Sequence, residues 1–125
     1  MIVAGIGCRK GASHAEVEAA LDCALAQAKQ APKALSLIAT SDGKASEPGI
    51  VAAAAARGVP LVRVSPADLE AAGSRTQSSS PQVKALVGVP SVAEAAALAA
   101  GGPNAKLILP RITVGPVTCA LADTG

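Results

Sequence analysis

The 125-residue chain contains no phenylalanine, tyrosine or tryptophan. That absence removes the stacking platforms on which sequence-specific RNA and single-strand binding depend. Cations are sparse too: eleven lysines and arginines face nine carboxylates, the formal net charge is +2, and Arg9-Lys10 is the longest basic run. A protein that tracks a phosphate backbone carries a denser basic stripe, so nucleic acid is not an expected partner.

Histidine occurs once, as His14, and the three cysteines Cys8, Cys23 and Cys119 are far apart with no Cys-x-x-Cys between them. A self-contained zinc site and a disulfide framework are therefore not expected, and neither is a metal or other cofactor. Unpaired cysteines suit a reducing cytoplasm. No uncharged run approaches the roughly 18–20 residues that a membrane-spanning helix needs. The apolar opening, residues 1–8, has no basic residue before it and is too short for a secretory leader, so it reads as a first strand. Gly-x-x-x-x-Gly-Lys-Ser/Thr and Gly-x-Ser-x-Gly are both missing, which excludes a phosphate-binding P-loop and a serine nucleophile elbow as written. Gly5-x-Gly7-x-x-x-Gly11 is one residue longer than a dinucleotide fingerprint. Asp42, its only candidate ribose carboxylate, comes too late. A nucleotide-binding module is accordingly the least expected alternative.

What is present is aliphatic. Hydrophobic residues make up 50% of the chain and charged residues 16%, a composition that buries a core rather than staying disordered. The length suits one domain spanning residues 1–125. Its core must be built from Ala, Val, Leu and Ile. Alanine-rich helices can approach a sheet closely, so thin, dense layers are expected.

Apolar and polar periodicity predicts strands at 2–7, 35–40 and 61–64 and helices at 14–30, 47–57 and 66–72. The first helix is read from Val17, Leu21, Ala24, Leu25 and Ala28. Gly58 and Gly73 read as helix stops. Residues 73–80 read as a mobile polar loop able to act as a lid, 81–86 as a short helix and 91–101 as a further alanine-rich helix. Two last strands are expected at 106–109 and 117–121, with Pro110 and Gly115-Pro116 placing an antiparallel turn between them. Ser13-x-x-Glu16, Ser65-x-x-Asp68 and Ser91-x-x-Glu94 have capping-box spacing. Alternating strands and helices give an α/β fold: a three-layer α/β/α sandwich on a mostly parallel, mixed sheet of about five strands, closed by a C-terminal antiparallel hairpin.

In such sheets ligands bind beyond the carboxyl ends of the strands. Two loops there are chemically distinctive. The first runs from Gly5 to Ser13 and holds Gly7, Cys8, Arg9, Lys10 and Gly11, with backbone amides leading into a helix start that favours an anion. The second runs from Thr40 to Gly49 and holds Thr40, Ser41, Lys44, Glu47 and Pro48. Together they predict a site for a polyanionic small molecule. Each feature also has a plainer role: a glycine-rich first turn serves geometry, Asp42-Gly43 is an ordinary turn pair, and Glu47 suits a helix dipole. Cys8 beside Arg9 and a helix start has the setting of a low-pKa thiolate, although a small buried residue is the commoner role for such a cysteine. Cys23 and Cys119 read as core.

Three ordered motifs carry a resemblance. Gly5-Ile6-Gly7-Cys8-Arg9-Lys10-Gly11 resembles the opening of the CobE/CbiG C-terminal family of corrin-ring (vitamin B12) biosynthesis. Ala39-Thr40-Ser41-Asp42-Gly43-Lys44-Ala45-Ser46-Glu47-Pro48-Gly49 resembles its second signature, and the run Gly88 to Ala97 a third. The ending, Gly115 to Ala122, is similar to the family's last strand. The resemblance implies a role in cobalamin biosynthesis, with a corrin or precorrin intermediate as ligand and other enzymes of the pathway as partners. Longer CbiG proteins open a lactone ring on a cobalt-corrin precursor and release acetaldehyde. This chain looks like the stand-alone CobE type, and the resemblance assigns it no catalytic residue. Two readings follow: a carrier that binds the intermediate, or an enzyme acting on it. Arg9, Lys10 and Lys44 would meet the ligand's carboxylates, and Ile6, Pro48, Ile50 and Val89 would offer its ring an apolar shelf. The apolar composition is compatible with a homodimer.

Overall fold

The structure, a computed structural model, describes residues 1–73 and 92–124. The expected helix at 81–86, the lid, the Ser91 cap, Val89 and the first part of the third motif lie outside the described residues. Five strands form one sheet: β1 (Ile2–Cys8), β2 (Leu35–Ser41), β3 (Leu61–Val64), β4 (Lys106–Val114) and β5 (Val117–Asp123). Their spatial order is β3-β2-β1-β5-β4. β1 pairs parallel with β2 and β2 with β3, whereas β5 runs antiparallel to both β1 and β4. Four strands thus point one way and β5 alone opposes them, which is the mixed sheet expected.

The described helices are α1 (His14–Gln27), α2 (Pro48–Arg57), α3 (Pro66–Ala72) and α4 (Val92–Gly101). One face of the sheet packs Ala4, Ile6, Ile38, Cys119 and Leu121 against Val17, Leu21 and Leu25 of α1 and Ile50 and Ala53 of α2. The other face packs Val3, Ala39 and Ala122 against Leu69 and Ala72 of α3 and Ala95–Leu98 of α4. Helices on both faces make the three layers.

Local chemistry accounts for the helix ends. The Ser13 hydroxyl accepts from the Glu16 amide at 3.1 Å, and the Glu16 carboxylate accepts from the Ser13 amide at 2.9 Å, completing a capping box. Ser65 caps α3 through the Asp68 amide at 3.2 Å. α1 stops at Gln27, short of the expected residue 30. Lys29 takes a left-handed φ of 57°. Its amide then donates to Ala26, and the Gln30 amide donates back to Leu25. This is the bond pair of a Schellman stop, with a lysine where glycine usually signals it.

Nor does Pro110 end a strand, as the sequence had suggested. β4 continues to Val114, and the turn sits at Gly115-Pro116 alone. β4 is an edge strand, and its register shifts between Leu109 and Ile112. Proline is tolerated at an edge bulge because no ladder bond there needs its missing N–H. The fully buried carboxylate of Glu94 on α4 accepts the next amide, that of Arg111, at 2.8 Å.

Candidate functional site

The carboxyl ends of β1, β2 and β3 share one edge of the sheet with the β4–β5 turn. The Arg9 amide donates to the Pro116 carbonyl at 3.0 Å, which moors the first loop to that turn. The loop then folds back through an Ala12 amide to Arg9 carbonyl bond, with Gly11 at a φ of +85°. Arg9, Lys10 and Gly11 are exposed.

The second loop passes through a single 3₁₀ turn, Asp42–Lys44, before α2 begins at Pro48. Glu47 is the N-cap residue of α2, yet its side chain makes no capping bond. It reaches across to the first loop instead, where its carboxylate accepts from the Gly11 amide at 3.2 Å. The Lys44 ammonium lies 3.9 Å from the same carboxylate. Three residues expected at the site, Gly11, Lys44 and Glu47, are thereby brought together. The side chain of Glu47 is 14% exposed, whereas the Gly11 that donates to it is exposed. Arg63 near the end of β3 lies 4.0 Å from Asp42 in an exposed ion pair.

Gly49 explains how the loops approach so closely. A Cβ there would overlap the Ala12 carbonyl oxygen and lie 2.9 Å from the Ser13 carbonyl carbon. The start of α2 therefore rests directly on the backbone of the first loop. Between the two helix starts lies a groove of about 380 Å³ lined by Gly11, Ala12, Ser13, His14, Pro48, Gly49 and Ala52. Sequence reasoning ended the site at Gly11 on one loop and Pro48 on the other. Ala12, Ser13 and Gly49 lie inside the two loops as read but were not singled out, and His14 and Ala52 lie on the helices just beyond them.

Several expected contributors face inward. Thr40 is completely buried, and its hydroxyl donates to the Ile6 carbonyl at 2.7 Å. Thr40 pairs beside Ile6 in the parallel β1–β2 ladder, and its hydroxyl braces the two strands. Ser41 is half-buried at the strand end. Ile6 and Ile50 are fully buried in the core, so of the expected shelf only Pro48 among the described residues is exposed. The Gly7 carbonyl is held by the Thr118 hydroxyl at 3.2 Å.

The thiol of Cys8 is not activated. Partial burial raises its pKa; the nearby Lys44 charge lowers it in part, and Glu47 raises it again. The positive setting read from the sequence is outweighed by desolvation. Cys119 is fully buried, and burial pushes its thiol up to about 12. His14 lies 3.7 Å from Glu18. Glu18 in turn accepts from Arg57 of α2 at 2.6 Å, while Asp22 accepts from the same guanidinium at 2.5 Å. Burial opposes the Arg57 charge, but these two carboxylates outweigh it and raise its pKa. The cluster clamps α1 to α2 and so holds the groove's two walls together. Among the described residues no group of three His, Cys, Asp or Glu side chains is placed to hold a metal ion, and no helix is long and apolar enough to cross a membrane.

Fold and groove together define a small α/β domain with its exposed cations and a cleft at the carboxyl edge of a mixed sheet. The family is then settled by comparison: the family model described as cobalamin synthesis G C-terminus matches residues 2–122, and the chain belongs to that family. It is 42% identical over 121 residues to the protein CobE of a Sinorhizobium species, covering 97% of this chain and 79% of that protein. A crystal structure of CobE, from the cobalamin biosynthetic pathway, superposes with a TM-score of 0.91 at 34% identity, over 98% of this chain and 89% of the other. The cobalamin biosynthesis protein chiG of Agrobacterium tumefaciens superposes at 0.80 with 36% identity, over 100% and 99% of the two chains. A cobalamin biosynthesis protein G homologue from Sulfolobus solfataricus shares the fold at 24% identity and a TM-score of 0.72, the match covering 37% of that longer chain. The chain is a CobE-like protein of cobalamin biosynthesis.

Proposed function

We propose that this protein binds a carboxylate-rich corrin or precorrin intermediate at the carboxyl edge of its sheet and releases it chemically unchanged. The observation that carries the reading is the junction of the two loops. Gly11 and Lys44 already converge on one carboxylate, that of Glu47. The exposed Arg9 and Lys10 belong to the same loop as Gly11, and the groove opens beside it. Corrin precursors carry several acetate and propionate groups around a ring. Charged donors set on two short loops suit several such groups at once, because charge-assisted bonds to carboxylates are the strong ones. The groove's wall offers Pro48 and Ala52 to the ring's edge.

Carriage is favoured over catalysis by the state of the two groups best suited to chemistry. Burial raises the Cys8 pKa, and His14 lies against Glu18. The test is a spectral titration of hydrogenobyrinic acid with the purified protein. Having no aromatic residues, the protein leaves the near ultraviolet to the chromophore. A saturable shift with the ligand's mass unchanged on recovery is expected. A changed mass would make the protein an enzyme, and no shift with any corrinoid would remove the site from this edge.

A further inference from the structure

Glu47 stands out as a carboxylate at a place where the proposed ligand would put its own. It is an N-cap residue that leaves its own helix uncapped. Its carboxylate instead accepts the Gly11 amide at 3.2 Å and lies 3.9 Å from the Lys44 ammonium. An amide at a tight glycine turn and a lysine one short loop away make a fitting pair of donors for an incoming carboxylate. Both are already engaged, by a side chain that the fold holds 14% exposed.

We infer that Glu47 is a built-in placeholder, an internal carboxylate that occupies the Gly11 and Lys44 donors and must be displaced by a carboxylate of the ligand. This inference rests on the reading that the two loops take a carboxylate-bearing intermediate. It adds a rule of selectivity. A small monocarboxylate gains one contact and must break an equivalent one, so the exchange yields it little. A polycarboxylate displaces Glu47 with one group while Arg9 and Lys10 meet others, and the linked groups benefit from high effective concentration. A partly buried carboxylate near the ligand's own also repels it until it swings away.

The experiment compares the intact protein with Glu47→Gln and Glu47→Ala in titrations with hydrogenobyrinic acid and with a corrin whose side-chain carboxylates are all amidated. Circular dichroism and thermal melts establish that each variant is folded. If Glu47 is a placeholder, Glu47→Gln tightens binding of the acid by about three- to tenfold, the scale of one relieved charge contact. It leaves the amidated corrin unchanged. Weaker or equal binding of the acid by both variants would mean that Glu47 merely braces the loops; it would overturn the placeholder while leaving the corrin-binding reading intact. Failure of every form, the intact protein included, to bind the acid would overturn the reading itself and the inference with it. Should Glu47→Ala not fold, Glu47→Gln still decides, since its amide oxygen can keep the Gly11 bond without the charge.

Discussion

The two faces of the sheet are built on different principles. Toward α1 and α2 the strands present Ile6, Ile38, Val117 and Leu121, which meet Leu21, Leu25 and Ile50. Toward α4 they present Val3, Gly5, Ala39, Ala120 and Ala122, all completely buried apart from the glycine's missing side chain. Here backbone nearly touches backbone: a Cβ on Gly5 would overlap the Ala93 carbonyl oxygen. One face is filled by side-chain volume and the other by removing it. This matters for function because Gly5 belongs to the glycine-rich first motif. Its lack of a side chain serves packing under α4, whereas Gly11 and Gly49 shape the loops on the opposite side. A glycine motif that looks like one ligand cradle is divided between two tasks.

The contrast can be broken from either side. Leu21→Ala, on the filled face, is expected to cost the most, about 3 to 4 kcal/mol, as lost transfer energy and a cavity among rigid neighbours. Gly5→Ala, on the close-packed face, should cost about 2 to 3 kcal/mol by overpacking, since backbone rather than a flexible side chain stands in the way. Urea denaturation measures both. If Gly5→Ala were neutral, α4 would be free to retreat and the close-packed account would fail. Glu94→Ala should cost about 2 kcal/mol by leaving the Arg111 amide without its acceptor. Hydrogen exchange at Arg111 would accelerate well beyond exchange in β1, because the carboxylate holds the β4 bulge.

A further effect is confined to alkaline pH. The buried Cys119 thiol titrates at about 12 in the fold against an ordinary 9.0. Its folded pKa is raised, so its contribution is complete below pH 9 and is lost as pH rises toward 12, where only the unfolded chain can release the proton. Stability should therefore fall over that window. The fall should be shallower in Cys119→Ala, whatever that substitution costs at neutral pH; an identical slope would place the alkaline loss elsewhere.

Much of this architecture is legible in the residues. The strand at 61–64 and the helix at 66–72 are bounded by Pro60, Ser65, Pro66 and Gly73, and the structure reproduces both. Two boundaries were not legible for specific reasons. The α1 stop uses Lys29 in the left-handed region, a conformation that side-chain chemistry does not advertise. β4 carries Pro110 at a bulge, and only the topology reveals that this strand lies at an edge. The site shows the same division. The loops and their charges can be read from the motifs, but the facing of Thr40, Ile6 and Ile50 depends on strand parity and helix rotation, which local spacing leaves open within one residue. The bond from Gly11 to Glu47 spans 36 residues. It exists because Gly49 lets α2 settle on the first loop, a tertiary fact with no local signature.

The proposed corrin site stands or falls with the cations of the two loops. The most direct measurement is the hydrogenobyrinic acid titration repeated with the Arg9→Ala/Lys44→Ala double variant, alongside circular dichroism. Arg9 is exposed and Lys44 is a partly exposed turn residue, so the fold should survive both changes. The folded variant is expected to lose affinity by at least about tenfold, the scale of two charge-assisted contacts. Unchanged affinity in a folded double variant would contradict that site and move the ligand away from these loops.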